Sequence, residues 1–419
     1  MNTRSLCGVG APRPQERLRR RAGFALVITV VLLALLVLVV YALSALNRVG
    51  SDASATAVYQ AQARQNALLG LSRAVGELQR FAAEDHVMTG MAGIVGIAPG
   101  AGQSVRHWAV VWDASGSLVR RLVSGSGADL SAGSEADMTV TMAGAGSLGV
   151  DEVDREHVWV ELEVIEIAGS AGRWRRLGRV GWWTADEGAK LSVVVPANEA
   201  PVAGGAHAFD SLVGLAGAPG VGLTGKLMSY EQIELLGVTP GNRRRNLHVL
   251  GLTHRGWLGA TRVAGRLNIN SASQRYWTGV AGTYNGLRPA DAPAIGDVAA
   301  FGRAIAENFA AADEEVGKLA GGPFPSTESF LNSALLSGAL GGADDLVDSF
   351  GAVMRPWLNV RSDTFRVRAY GDALNPSDAT RAEATAWCEA IVQREKDDPS
   401  ASIGRFVVTY FRWLGSEDL

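Results

Sequence analysis

Apolar and polar positions alternate along this chain in three textures. From Gly23 to Leu46 the sequence reads GFALVITVVLLALLVLVVYALSAL without a charged residue. At 1.5 Å rise per residue that run is long enough to cross a bilayer core as a helix. Helical character continues beyond it. No proline occurs between Asn47 and Ala83, and Leu68, Leu71, Val75, Leu78 and Ala82 recur at helical spacing, with Arg64, Gln65, Arg73, Glu77 and Arg80 on other faces. The pattern predicts one helix over 24–83, roughly 90 Å long, apolar all round in its first half and amphipathic in its second.

After Glu84-Asp85 the period changes. Short runs at His107–Trp112, Leu118–Val123 and Met138–Met142 read as strands between Gly/Ser turns. Val158–Ile167 alternates as a strand, and Arg173–Trp183 follows it across Ala168-Gly169-Ser170-Ala171-Gly172, predicting an antiparallel meander able to wrap the C-terminal half of the helix. Alternation fades from Pro196 to about Asn359, where Ser229–Leu236, Ile295–Ala311 and Ser329–Leu340 read as helices linked by glycine-rich loops. Strands return at Thr364–Tyr370, Ala384–Arg394 and Arg405–Leu414. The organisation predicted is residues 1–23 as a basic leader, 24–83 as the helix, 84–195 as the first part of an α/β domain, 196–359 as a mostly helical insertion, and 360–419 as the closing strands. The fold class is α+β: a long N-terminal transmembrane and amphipathic helix packed on an antiparallel sheet.

Charge sharpens the reading of the N-terminus. The formal net charge is −3, yet residues 1–23 hold six arginines and one acid, Glu16, so the remainder carries −8. A basic flank before an apolar span, with an acidic body after it, follows the positive-inside rule and places the body beyond the membrane. No basic patch points to nucleic acid, and the run Arg243-Arg244-Arg245 reads as a solvated loop. Cys7 and Cys388 would lie on opposite sides of a membrane, which argues against a disulfide between them. The six histidines lack metal-ligand spacing.

The apolar run exceeds the core of a cleavable signal, although Ala42-Leu43-Ser44 imitates a cleavage site and Arg20-Arg21 resembles a twin-arginine pair. A single-pass anchor fits its length and charge. The combination of basic leader, Gly23-Phe24 and a helix that runs on past the membrane resembles a type IV pilin precursor. That resemblance implies cleavage by prepilin peptidase between Gly23 and Phe24, and methylation of the new N-terminus. Most pilins carry glutamate at the fifth mature position, where this chain has Ile28. A carboxylate there can pair with a neighbouring subunit's N-terminal ammonium inside the bilayer, so Ile28 points to a minor subunit rather than a repeating one.

Trp183-Thr184-Ala185-Asp186-Glu187-Gly188-Ala189-Lys190-Leu191-Ser192 resembles a motif of the K-type minor pseudopilins of type II secretion, and Gly265-Arg266-Leu267-Asn268-Ile269-Asn270-Ser271-Ala272-Ser273 resembles the piece that follows it there. In this chain the two lie some seventy residues apart: an insertion separates them, or one alone is the equivalent. The ends Asp363-Thr364-Phe365, Ala369-Tyr370-Gly371 and Ala386-Trp387-Cys388-Glu389-Ala390 are similar to the closing strands of the same group and to the large pilin-like proteins of verrucomicrobial gene cassettes (cassette protein A), while Ile28 in place of glutamate resembles the K-type pseudopilins and some X-type minor pilins. The resemblance implies a non-enzymatic pseudopilin-like envelope protein in the inner membrane, single-pass with its C-terminal domain periplasmic, acting at the tip or initiation of a filament with other minor pseudopilins.

Other chemistry is weaker. Gly220–Lys226 imitates a phosphate-binding loop, but Leu227 stands where Ser or Thr is required. K-type pseudopilins bind calcium, and Asp151, Glu152, Asp154 and Glu156 are the candidate ligands, though without EF-hand spacing. A solvated acidic turn is the competing reading there, as it is for Asp344, Asp345 and Asp348. Asp186 and Glu187 are adjacent on a strand, face opposite ways, and read as a structural turn. Among the eleven tryptophans, Trp159, Trp174, Trp182, Trp183, Trp387 and Trp413 fall in strand-like segments and read mostly as core. They leave open the alternative of a membrane-tethered periplasmic enzyme or carbohydrate-binding protein, although no nucleophile elbow or triad can be assembled.

Overall fold

The computed structural model describes residues 14–95, 107–125, 139–144, 158–168, 174–192, 230–236, 238–251, 267–311, 323–375, 377–396, 398, 400–415 and 418–419. Helix α1 spans Pro14–Phe81, and the chain divides into two compact units, Met1–Tyr59 and Gln60–Leu419. In the first unit every described side chain of α1 from Phe24 to Val58 is exposed. Among the described residues this is the one helix long and apolar enough to cross a membrane.

In the second unit the remainder of α1 lies on a five-stranded sheet of order β14-β13-β12-β7-β6, antiparallel throughout. Its strands are β6 (Glu163–Ala168), β7 (Trp174–Asp186), β12 (Thr364–Asn375), β13 (Asp378–Glu395) and β14 (Arg405–Leu414). The helix reaches this sheet with small residues. Ala63, Ala67 and Ala74 are fully buried, with Leu71, Leu78 and Ala82 along the same stripe. A Cβ on Gly371 would run into the Ala67 backbone nitrogen and come within 2.5 Å of the Ala63 carbonyl oxygen. Leu68, expected in the stripe, is 41% exposed; the contact selects side-chain size, which hydrophobic spacing alone does not report. Polar ties fix the axial position: Asn66 Nδ2 donates to the Asp372 carbonyl (2.6 Å), and Gln79 donates to the Gly404 carbonyl and accepts from the Phe406 amide. The open carbonyls at the end of α1 are met by Arg361 and Arg394, which donate to Ala82 O and Ala83 O at 2.8 Å.

Two smaller antiparallel sheets flank the main one: β1 (Met88–Met91), β2 (Ala109–Trp112) and β3 (Leu118–Arg121) in one, β4 (Thr139–Ala143) and β5 (Val158–Glu161) in the other. The run expected as one strand over 158–167 is thus split at Leu162, its first part pairing with β4 and its second with β7. Between β7 and β12 come β8 (Leu191–Ser192), a 3₁₀ turn at Tyr230–Leu236, α2 (Pro240–Arg245), β9 (Leu250–Gly251) and β10 (Leu267–Asn268). Then follow α3 (Gln274–Leu287), α4 (Val298–Ala311), α5 (Thr327–Leu331), α6 (Ala334–Ala339), α7 (Asp344–Met354) and β11 (Leu358–Asn359). The helix expected at 329–340 is broken at Ser333, which caps α6 by accepting from the Leu336 amide. Asp344 and Asp345 fall in the first turn of α7, where acids favour the helix dipole. α3 had no signal in the sequence: its two threonines and three glycines are poor helix formers. It forms because Tyr276, Trp277, Val280 and Tyr284 are fully buried, Trp277 stacking on Phe330 at 5.1 Å.

Candidate functional site

The sequence singled out three places, and the structure treats them differently. Gly23, Phe24 and Ile28 lie in α1, with the Phe24 and Ile28 side chains exposed. The acidic set Asp151, Glu152, Asp154 and Glu156 lies outside the described residues, as does the glycine-rich stretch 220–226. Among the described residues no group of three or more His, Cys, Asp or Glu is placed to hold a metal ion. The motif at 183–192 and its echo at 265–273, by contrast, meet.

Asp186 closes β7 with its carboxylate turned inward and 3% exposed. Oδ1 accepts from the amides of Gly188 (2.8 Å) and Ala189 (3.2 Å), the turn expected there. Oδ2 accepts from Thr89 Oγ1 (3.2 Å) and from Asn268 Nδ2 (3.1 Å). Asn268 also donates to Ser362 Oγ at 3.0 Å and the Thr89 carbonyl at 2.9 Å, while its amide donates to the Gly188 carbonyl. Asn270, two residues on, accepts from the Phe324 amide and offers its carbonyl to Met91. The two halves, some seventy residues apart in sequence, form one buried polar clasp joining β1, β7, β10 and the segment before β12.

Glu187 faces the other way, into a second network. Arg366 of β12, fully buried, directs Nε to Glu187 Oε1 at 2.9 Å and Nη1 to Glu389 Oε2 at 3.4 Å. Lys190 pairs with Glu187. Glu389 of β13 also receives Arg368 Nε (2.8 Å) and Arg412 Nε (3.1 Å). Arg412 reaches Glu231 (2.6 Å) and Asp418 (3.3 Å), and Arg243 meets Glu231, Glu234 and Asp418. Tyr230 lies under the Arg366 guanidinium, its ring centre 4.8 Å away. Five cations face five carboxylates, so the network is neutral and sews the 3₁₀ turn and α2 to the sheet. Arg243 is therefore buried and paired, a correction to the solvated loop expected for 243–245. Periodicity could not show it, because Glu231 and Glu234 come from the preceding 3₁₀ turn and Asp418 from the far end of the chain.

Electrostatics differ between the two networks. Burial raises the Glu187 carboxyl, but Arg366 and Lys190 outweigh it and hold the group below its ordinary value. Burial likewise opposes ionisation of Glu389, and its three arginines reverse that strongly. Lys190 falls to about 8, burial being only partly offset by Glu187. Asp186 has donors but no cation among its hydrogen-bond partners, and burial lifts it to about 6 against the hydrogen bonds that favour its charged form. A raised carboxyl contributes stability below its unfolded value near 3.8 and loses it as pH rises through about 6. Asp186→Asn is accordingly expected to flatten the fall in unfolding midpoint between pH 4 and 7. It should be less stable at pH 4, because its NH₂ group faces amide donors. An unchanged slope in thermal unfolding across that range would contradict the assignment.

Every carboxylate in the two networks is engaged by protein donors, and Asp186, Glu187 and Glu389 are shut from solvent. Neither network presents a free base or nucleophile to a substrate. The strand tryptophans divide: Trp182 and Trp183 are buried as expected, while Trp413 is 38% exposed on β14. The rings of His107 and His248, both buried, lie 4.1 Å apart and tilted by 31°.

No family model matches the chain, and no curated protein matches it. Among solved structures it is similar to the GspK-GspI-GspJ complex of the type 2 secretion system from enterotoxigenic Escherichia coli, at 12% identity over 61% of this chain and 83% of that one, with a TM-score of 0.33.

Proposed function

We propose that this protein is a non-enzymatic, membrane-held minor pseudopilin-like subunit that works by packing and recruitment. The observation that carries the reading is the division of labour along α1. Its Phe24–Leu46 stretch is apolar and uncovered, and its Gln60–Phe81 stretch is seated on an antiparallel sheet by a stripe of small residues. A simple tether needs the first property and gives no reason for the second. On this reading the span lies in the inner membrane with the sheet-bearing unit in the periplasm, prepilin peptidase cuts after Gly23, and the new N-terminus at Phe24 is methylated. Ile28 leaves no carboxylate for a neighbour's ammonium, which suits an end position in a filament built with other minor pseudopilins. The motifs at 183–192, 265–273 and the closing strands keep the likeness to the K-type and verrucomicrobial cassette proteins as the family reading. Calcium at Asp151, Glu152, Asp154 and Glu156 is the associated ligand proposal, tested by a fall in unfolding midpoint on chelation.

The test of the main reading is N-terminal sequencing of protein extracted from membranes. Phe24 at the first position is expected, and Gly23→Leu should retain residues 1–23. Recovery of Met1, or of a chain starting after Ser44, would defeat the proposal.

A further inference from the structure

Among the described residues, one face of the sheet carries a second, uncovered lane beside α1. On β13, Cys388, Ala390 and Val392 pair with Trp413, Phe411 and Val408 of β14. Directly opposed residues of an antiparallel pair share a face, and Cys388 Sγ lies 3.9 Å from the Ala67 carbonyl of α1. Trp413, Phe411 and Val408 therefore stand on the helix-bearing face, and they are 38%, 38% and 44% exposed. The lane follows α1: Arg64 sits over the Trp413 ring at 5.5 Å at one end, and Gln79 holds Phe406 at the other. That length of helix amounts to roughly 22 Å. Exposed Leu68 lies one turn beyond Arg64 on this stretch.

The shape of the lane selects its occupant. α1 lies over β12 and touches β7 on one side and β13 on the other; β14 is two strand spacings from β12, and about 9.6 Å matches the 8–10 Å at which helices pack side by side. Addition of a strand to the β14 edge is disfavoured by the register shift opposite Ile391/Val392, which bulges the edge. The charge presented over the aromatic pair is the Arg64 cation. A second copy of this chain fills the lane poorly with its own α1. The Gln60–Phe81 stripe is already buried on its own sheet, Phe24–Leu46 carries no acid to meet Arg64, and Asn47–Tyr59, which holds Asp52, offers only Val49 and Val58 as large aliphatic side chains. We infer that this face docks an amphipathic helix of a different protein, with an apolar stripe on Phe411, Trp413 and Val408 and a carboxylate flank toward Arg64. The inference rests on the pilin-type reading and deepens it by naming the surface that meets a neighbouring subunit.

The experiment places the photocrosslinker p-benzoylphenylalanine at Phe411 in the full chain, with Leu118 on β3 as an exposed control, and irradiates intact membranes. Position 411 should give an adduct with a helical segment of one other protein, rich in Asp or Glu, and position 118 should not. Arg64→Glu should cut the yield about tenfold, as a charge effect of ~1.4 kcal/mol would, with thermal unfolding unchanged, while Arg64→Lys largely keeps it. Adducts to lipid, to a second copy or to an extended segment would overturn the inference. So would equal yields from both positions, no adduct at all, or indifference to Arg64→Glu. Sequencing the N-terminus in the same membranes separates the two ideas. Phe24 without the adduct leaves the subunit reading standing and removes the docking surface; the adduct without Phe24 does the reverse.

Discussion

Replacing Gly371 by valine is expected to lower the stability of the sheet-bearing unit by about 3 kcal/mol or more, enough to shift its unfolding midpoint by several degrees. Gly371 lies in the middle of β12, where α1 approaches so closely that a Cβ would overlap the Ala67 nitrogen and crowd the Ala63 carbonyl. Both obstacles are helix backbone and cannot rotate away, so the helix must lift. Lifting it withdraws Ala63, Ala67 and Ala74 from the sheet and breaks the bond from Asn66 to the Asp372 carbonyl. Gly76 supplies the contrast. It lies on the same stretch of α1, and a methyl added there would meet nothing within 4 Å, so Gly76→Ala should stabilise by about 0.5–1 kcal/mol through helix propensity alone. Thermal unfolding of the two variants checks the pair. Equal midpoints for Gly371→Val and the parent protein would mean that α1 is not seated as described.

The same contact marks what the sequence could and could not show. The long helix and the antiparallel sheet were legible because 3.6-residue and two-residue periods are properties of consecutive residues. The face by which α1 meets the sheet was only half legible: Leu71, Leu78 and Ala82 are buried, but Leu68 is exposed and Ala63, Ala67 and Ala74 carry the closest approach. Small residues add little to an amphipathic pattern, so the pattern understates them. α3 was illegible for the converse reason, since its stability comes from Tyr276, Trp277 and Tyr284 in a core built from many segments. Asp186 and Glu187 were rightly set on opposite faces. That each face is a buried network depends on Asn268 and Arg366, both far along the chain, and no local rule links such distances.

The second large effect belongs to Glu389, the carboxylate that faces three arginines. Glu389→Gln should destabilise the protein by about 3–5 kcal/mol at neutral pH, the cost of leaving buried charge uncompensated. The loss is uneven. Arg366 keeps Glu187, and Arg412 keeps Glu231 and Asp418, but Arg368 is left with the carbonyls of Met142 and Asp418. Arg368→Met added to the Glu389→Gln variant should therefore cost less than the same change in the parent, and a double-mutant cycle should return a coupling of at least about 1 kcal/mol. The pH dependence gives an independent readout. Burial opposes ionisation of Glu389, and Arg366, Arg368 and Arg412 outweigh it, so the folded-state value is depressed. A depressed carboxyl contributes stability above its unfolded value, about 4.3, and loses it as pH falls toward the folded one. The gap between parent and Glu389→Gln should be widest at about pH 6–7 and narrow steadily below about pH 4, as the carboxyl of the unfolded parent chain takes up a proton while the folded one stays ionised. Urea unfolding at several pH values measures that gap directly. A gap that stays constant into acid would show that Glu389 contributes shape rather than charge, and that the sheet holds the 3₁₀ turn and α2 without the ionic network.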